Sequence, residues 1–356
     1  MQTIPLKSKV VDVEEDPEAI FEDFYARGWT DGLPVIPPTP ARVERMIAAG
    51  GRPANEVVAI LEPRNAPATV EKIAINAVMA GCHPSYFPVL LTIVECMPHP
   101  GVDPLGMNTT TNPVWLMSVV NGPVRQKLNI NSGYGVLGPG WRANATIGRA
   151  TRLIQLNTAG SIPAEVTKSC QAHPGRYGQC VGEFEERSPW EPLHVERGFK
   201  KEESAVTLVA PMSAIRITET DCKTAEGLLH FIAGCMDSPT TAGHPDTHSL
   251  LMLCPDHAAI LAREGLSKKD VKQELYKRTK AIPLSRWPSE LTTGDLKRLG
   301  VVGHRPADQG GTTCVHASPD NFKVIVAGGP SGYHSTWFSL WFHGAEIPTR
   351  RIQLPS

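Results

Sequence analysis

The densest chemical potential lies between Asn129 and Arg149. Gly133, Gly135, Gly138 and Gly140, with Pro139 among them, precede a helical pattern. Glycines admit positive φ and let backbone N–H groups approach a ligand closely. The start of a helix favours negative charge. Arg142 can fork onto a carboxylate or phosphate, and Asn131, Ser132, Asn144 and Thr146 add neutral donors. The stretch therefore reads as an anion-binding loop. A tight crossover loop with a capped helix would leave the same signature. No Gly-Lys-Ser/Thr closes it, so it is not a P-loop. Its glycine spacing is not that of a dinucleotide fingerprint either, and no nicotinamide or flavin signature is visible.

Acid, base and nucleophile would have to come from elsewhere. Between His173 and Phe199 stand Cys180, Glu183, Glu185, Glu186, His194 and Glu196. A thiol beside a histidine can be an activated nucleophile, paired carboxylates can divide into acid and base, and the same side chains can hold a metal. Solvated glutamates and a loop pinned by Pro189, Trp190 and Pro192 are the plainer reading. Cys82, after a helix end, is a second candidate thiol. Cys254-Pro255-Asp256-His257 lies where a strand meets a helix, and Gly328-Gly329 opens another glycine-rich turn at a strand end. Met107 to Pro113 is rich in hydroxyls and amides, suited to a polar pocket floor or to satisfying its own backbone. His244 and His248 are four residues apart, but Pro245 between them argues against a helical metal pair.

These residues need a scaffold. Val57 to Leu61 reads as a buried strand, and Ala68 to Ala80 and Pro88 to Cys96 as helices. Val114 to Val120, Val206 to Ala210, Ser249 to Cys254 and Val324 to Ala327 read as further strands. Ala145 to Leu156 and Lys268 to Lys280 read as helices. Strands alternating with helices predict an α/β protein. A charge run at Phe199 to Glu203 sets an expected boundary, giving domains 1–204 and 205–356. Helices ending at Gly81-Cys82 and Gly234-Cys235, each followed by a strand, a proline and two helices, suggest a weak topological repeat with a ligand cleft between the halves.

The chain has 356 residues, 35 Lys plus Arg against 36 Asp plus Glu, and 8 cysteines. That balance offers no basic field for nucleic acid. No apolar run suits a membrane span, and Met1 to Asp16 is not a signal peptide. The cysteines form no CxxC pair, so a reducing, cytoplasmic setting with free thiols is expected. A homo-oligomer is compatible with all of this.

Asp31 to Pro38, Gly81-Cys82-His83-Pro84, the Asn131 to Arg149 loop and Ser188 to Phe199 together resemble a bacterial family associated with UGSC-type selenoprotein-like proteins. Cys254 to Ala258 and Val326 to Gly329 resemble its second half, so the resemblance spans nearly the whole chain. No UGSC-like tetrapeptide occurs here, so the resemblance implies neither a selenol nor a thiol redox step, and it implies no substrate. The residues themselves suggest an enzyme that hydrolyses or eliminates from a small carboxylate- or phosphate-bearing molecule. Cys180 or Cys82 would be nucleophile or metal ligand, Glu183 or His194 the proton carrier, and Asn131, Ser132, Arg142, Asn144, Thr146, Gly328 and Gly329 the ligand-binding set. A thiol-dependent oxidoreductase and a non-catalytic metabolite-binding protein are the alternatives.

Overall fold

The structure, a computed structural model, describes residues 6–237, 246–279, 282–283, 312–341 and 345–355. His244 and Pro245 thus lie outside the described residues. The first layer is helical. α1 (Pro17–Ala26) begins at Asp16, whose carboxylate accepts from the Ala19 N–H, and closes at Gly28 with φ +68°. α2 (Pro40–Gly50) follows. β1 (Val57–Leu61) and β2 (Ala66–Thr69) form a two-stranded hairpin apart from both main sheets, which corrects the reading of 57–61 as a buried strand: Val57 and Ile60 are exposed. α3 (Val70–Met79), α4 (Phe87–Cys96) and the short α5 (Pro104–Thr109) complete the approach to the first sheet.

That sheet holds β3 (Met117–Asn121), β4 (Gln179–Gly182) and β5 (Ala205–Val209). α6 (Val124–Lys127), α7 (Arg142–Ile154) and, before β5, α8 (Leu193–Glu196) connect them. A single residue, Ala210, then carries the chain into the second sheet. There β6 (Pro211–Thr218), α9 (Ala225–Met236), β7 (Ser249–Leu253), α10 (Pro255–Arg263) and α11 (Lys268–Arg278) follow. A small β8 (Ile282–Pro283) and β9 (Thr312–Thr313) pair precedes β10 (Phe322–Val326) and β11 (His334–Leu340). Finally β12 (Thr349–Arg351) returns to the first sheet, on β5. The chain thus changes sheets at Ala210 rather than at the expected boundary at 204, because β5 pairs with β3.

The two sheets share a plan. In the first, β3 is central, β4 lies parallel on one side, β5 antiparallel on the other, and β12 lies antiparallel beyond β5. In the second, β7, β10, β11 and β6 take the same places with the same directions. The outer strand comes last in the chain for one sheet and first for the other. Strand order and direction therefore agree with the expected repeat.

Alternation along each strand builds the layers. Met117, Val119, Val181 and Val209 of the first sheet share one core with Leu250, Met252, Ile325 and Phe338 of the second. The opposite faces carry Val120, Val206 and Leu208 onto the α2–α4 and α7 layer, and Leu251, Leu253, Val324, Val326 and Trp337 onto α9–α11. The result is helix, sheet, sheet, helix, an α/β architecture in which side chains fill the space between the sheets.

Candidate functional site

The two glycine-rich turns meet. The Gly328 N–H donates to the Ser132 carbonyl at 2.8 Å, and the Tyr134 hydroxyl donates to the Pro330 carbonyl at 2.8 Å. The Tyr134 ring lies so close over Gly329 that a Cβ there would fall 1.9 Å from it, so only glycine fits. Most expected ligand-binding groups, however, are spent on the loop itself. Asn131 and Asn144 bond reciprocally: the Asn131 N–H donates to Asn144 Oδ1 at 2.7 Å, and Asn144 Nδ2 donates to the Asn131 carbonyl at 3.0 Å. Thr146 donates to the Arg142 carbonyl one turn back. Arg142 is exposed and its Nη2 donates to the Gly81 carbonyl at 2.9 Å, closing the end of α3. The loop is pinned by its own side chains, the plainer of the two readings.

Just beneath it, where β3 and β4 end, lies a buried polar cluster. The Gly182 N–H donates to the Asn131 carbonyl at 2.9 Å and the Phe184 N–H to the Val326 carbonyl at 2.7 Å, bringing the end of β4 against both the loop and β10. Gly182 is required here, since a Cβ would sit 2.6 Å from the Arg125 side chain. Glu183 is fully buried. Its Oε2 accepts from Asn121 Nδ2 at 2.6 Å and from the Leu193 N–H at 2.8 Å. Its Oε1 has no partner, and neither has Asn121 Oδ1. Burial pushes the Glu183 carboxyl above the ordinary range; Lys268 and the two hydrogen bonds only partly oppose it, and Glu185 adds to it.

Glu185 accepts from the Gly122 N–H at 2.7 Å, and Glu186 from Arg125 Nη2 at 2.6 Å. Burial pushes the Glu186 carboxyl up, but the hydrogen bonds from Arg125, its own backbone and Gln126, with the Arg125 charge, together outweigh it and the net shift is down. Arg125 Nη1 reaches Ser132 Oγ at 3.4 Å. Of the expected ligand-binding residues, then, Ser132 shares Arg125 with Glu186, and Gly328 is bonded to Ser132. His194 follows Leu193 and is buried, with no hydrogen bond of ordinary geometry at either ring nitrogen, and burial lowers its pKa.

The sequence reading missed a row of buried cations leading away from Glu183. Lys268, Lys272 and Lys323 are all buried, and lysine is seldom so unless paired. Lys268 and Lys272 share Glu196, while Lys323 and Arg197 share Glu346. Four cations thus face two carboxylates. A signal was present: on α11, Lys268 and Lys272 fall on the same helical face as Val271 and Leu275, which is the buried one.

Both candidate thiols lie elsewhere. Cys180 is 2% exposed on the helix-facing side of β4, and Cys82 is 6% exposed with its Sγ donating to the Thr146 carbonyl at 3.3 Å. Burial pushes the Cys82 thiol up to about 12 and the Cys180 thiol up as well, the latter also through Cys82. Both stay protonated near neutral pH, which is unsuited to a nucleophile. Among the described residues, no group of three His, Cys, Asp or Glu side chains is placed to hold a metal. No described helix is long and apolar enough to cross a membrane.

A separate groove of about 860 Å³ opens under residues 6–13. Phe24, Trp29, Met79 and Asn157 line it, and the Arg27 guanidinium stands 5.0 Å from the Trp29 ring centroid. Leu156, Asn157 and Thr158 enter it from a π-helical turn, Gln155–Ala159, that continues α7. None of the expected site residues lines it. No family model and no curated protein matches the chain.

Proposed function

We propose that this chain is an enzyme that transfers a proton to or from a small anionic organic molecule, in a hydrolysis or an elimination, with Glu183 as the acid–base group. The observation that carries the reading is Glu183 itself: fully buried, raised in pKa, with one oxygen held by Asn121 and the Leu193 N–H and the other without a partner. A carboxyl whose pKa burial raises can donate a proton to a leaving group, and its conjugate base can abstract one. The cations of Lys268, Lys272, Lys323 and Arg197 outnumber their carboxylates and favour an anionic substrate nearby. The meeting of two parallel strand ends with two glycine-rich turns is where α/β proteins hold ligands. Cys180 and Cys82 have no part in this chemistry, since a protonated thiol in a packed core is a poor nucleophile. The test is turnover of small carboxylates and phosphate esters by the purified chain. Glu183→Gln should abolish turnover of any substrate found while leaving the circular dichroism and melting unchanged or improved. Full activity in that variant would overturn the assignment.

The groove favours a second reading, a metabolite-binding protein. Its volume suits a small organic ligand, and Trp29 with Arg27 offers a stacking surface. Ligand-induced stabilisation without turnover, lost in Trp29→Ala and kept in Glu183→Gln, would select it.

A further inference from the structure

At the opposite, N-terminal ends of β3 and β4 lies a small cavity lined by Val114, Trp115, Thr151, Arg152, Gln155 and Arg176, with three glycines between them. Its volume is about 10 Å³, room for one water-sized body. The glycines fix that size. A Cβ on Gly175 would lie 2.6 Å from the Trp115 ring, and one on Gly148 would lie 2.7 Å from the Gly178 backbone. No side chain larger than hydrogen fits at either position, and the walls are backbone and rings rather than yielding side chains.

The charges around it do not balance. Arg176 Nε donates to the Val114 carbonyl at 2.9 Å and its Nη2 to Thr167 Oγ1 at 2.8 Å. Arg152 Nη2 donates to the Ser161 carbonyl at 3.2 Å. Arg176 Nη1 and Arg152 Nε and Nη1 make no hydrogen bond among the described residues. No carboxylate lines the cavity, and neither guanidinium forms an ion pair among the described residues. Asp31, whose charge acts on Arg152, is already bridged by Arg149 at 2.8 Å. Burial, and then the neighbouring charge of Arg176, lower the Arg152 pKa to about 10, so the two cations feel one another. Arginine does not give up its proton near neutral pH. Two like charges that line one cavity with N–H groups to spare favour an anion between them. The other polar lining groups are satisfied: Thr151 donates to the Ile147 carbonyl, and Gln155 to Asn108.

We propose that this cavity binds a single monoatomic anion of chloride size, held between Arg152 and Arg176. Sulfate, phosphate and organic carboxylates are too large for it. The bound ion would tie α7 to the turn before β4.

Crystals of the full chain soaked in bromide should show an anomalous peak within hydrogen-bond distance of both guanidinium groups. In solution, replacing gluconate by chloride at constant ionic strength should raise the melting temperature saturably, and sulfate should not substitute. Arg176→Gln should remove both the peak and the chloride response. If that variant does not fold, Arg152→Gln serves the same purpose, and bromide soaks of the unaltered chain decide alone. A cavity occupied by water in bromide crystals, or a chloride response that survives the substitution, overturns the proposal.

Discussion

Replacing Glu183 by glutamine separates a neutral carboxyl from a buried carboxylate. The glutamine carbonyl can keep both hydrogen bonds that Oε2 now accepts, from Asn121 Nδ2 at 2.6 Å and from the Leu193 N–H at 2.8 Å. Its amide nitrogen would take the place of Oε1, which has no hydrogen-bond partner. At acid pH the two proteins should therefore differ by less than about 1 kcal/mol. Above the ordinary glutamate range they should diverge. The raised folded value means that the folded chain holds a proton the unfolded chain has released. Stability of the unaltered protein then falls as pH rises, by about 1.4 kcal/mol per pH unit relative to the variant, until the folded value is passed. The variant should be the more stable at neutral pH. Urea unfolding of both proteins from pH 4 to pH 8 measures this directly. Glu183→Ala is the control: it orphans the Leu193 N–H and leaves a void, so it should be about 2–4 kcal/mol less stable than Glu183→Gln at every pH. A Glu183→Gln difference that is constant across the range would refute a neutral Glu183.

His248 should behave oppositely. Burial and nearby Lys323 lower its folded pKa to about 4, so the unfolded chain takes up a proton first as pH falls. The protein should lose about 3 kcal/mol between pH 6.5 and 4, and His248→Phe should lose much less; parallel acid titrations of the two would disprove it. Cys170 is exposed while Cys82 and Cys180 are buried. A thiol reagent should label Cys170 in the native state and spare the other two, as peptide mapping would show, and Cys180→Ser should cost about 1–2 kcal/mol without loss of activity. Arg149 binds Asp31 through two nitrogens and also donates to the Leu33 and Pro34 carbonyls, pinning the proline-rich loop before α2. Arg149→Ala should cost about 2–4 kcal/mol, and a loss below about 0.5 kcal/mol in chemical denaturation would contradict that role.

Much of the scaffold was legible because its periods are clean. Helices 87–96 and 268–278 and strands 205–209, 249–253 and 322–326 all fall within a few residues of where pattern and punctuation put them. The hairpin strand 57–61 has the composition of a buried strand but lies in a sheet of only two strands, so its outer residues meet solvent. The repeat was visible as an echo of helix ends and prolines; its physical content is in the strand pairings, which no local pattern encodes. The site divides similarly. Of the residues expected there, Glu186 and Ser132 both contact Arg125, and Gly328 bonds to Ser132. Arg142, Asn144 and Thr146 were chosen for donor chemistry, yet their hydrogen bonds go to neighbouring backbone. Asn121 and Arg125 were passed over because they follow a strand with no motif around them. The buried thiols were overvalued, since residue type conveys reactivity only when the environment lowers the pKa.

The measurement that bears most directly on Glu183 is a crystal structure of the chain with a small anionic compound that it turns over or that raises its melting temperature. Density within hydrogen-bond distance of the Glu183 carboxyl, with its negative group toward Lys268, is the predicted result. Density confined to the Trp29 and Arg27 groove, with Glu183 still bound only to Asn121 and the Leu193 N–H, would contradict it.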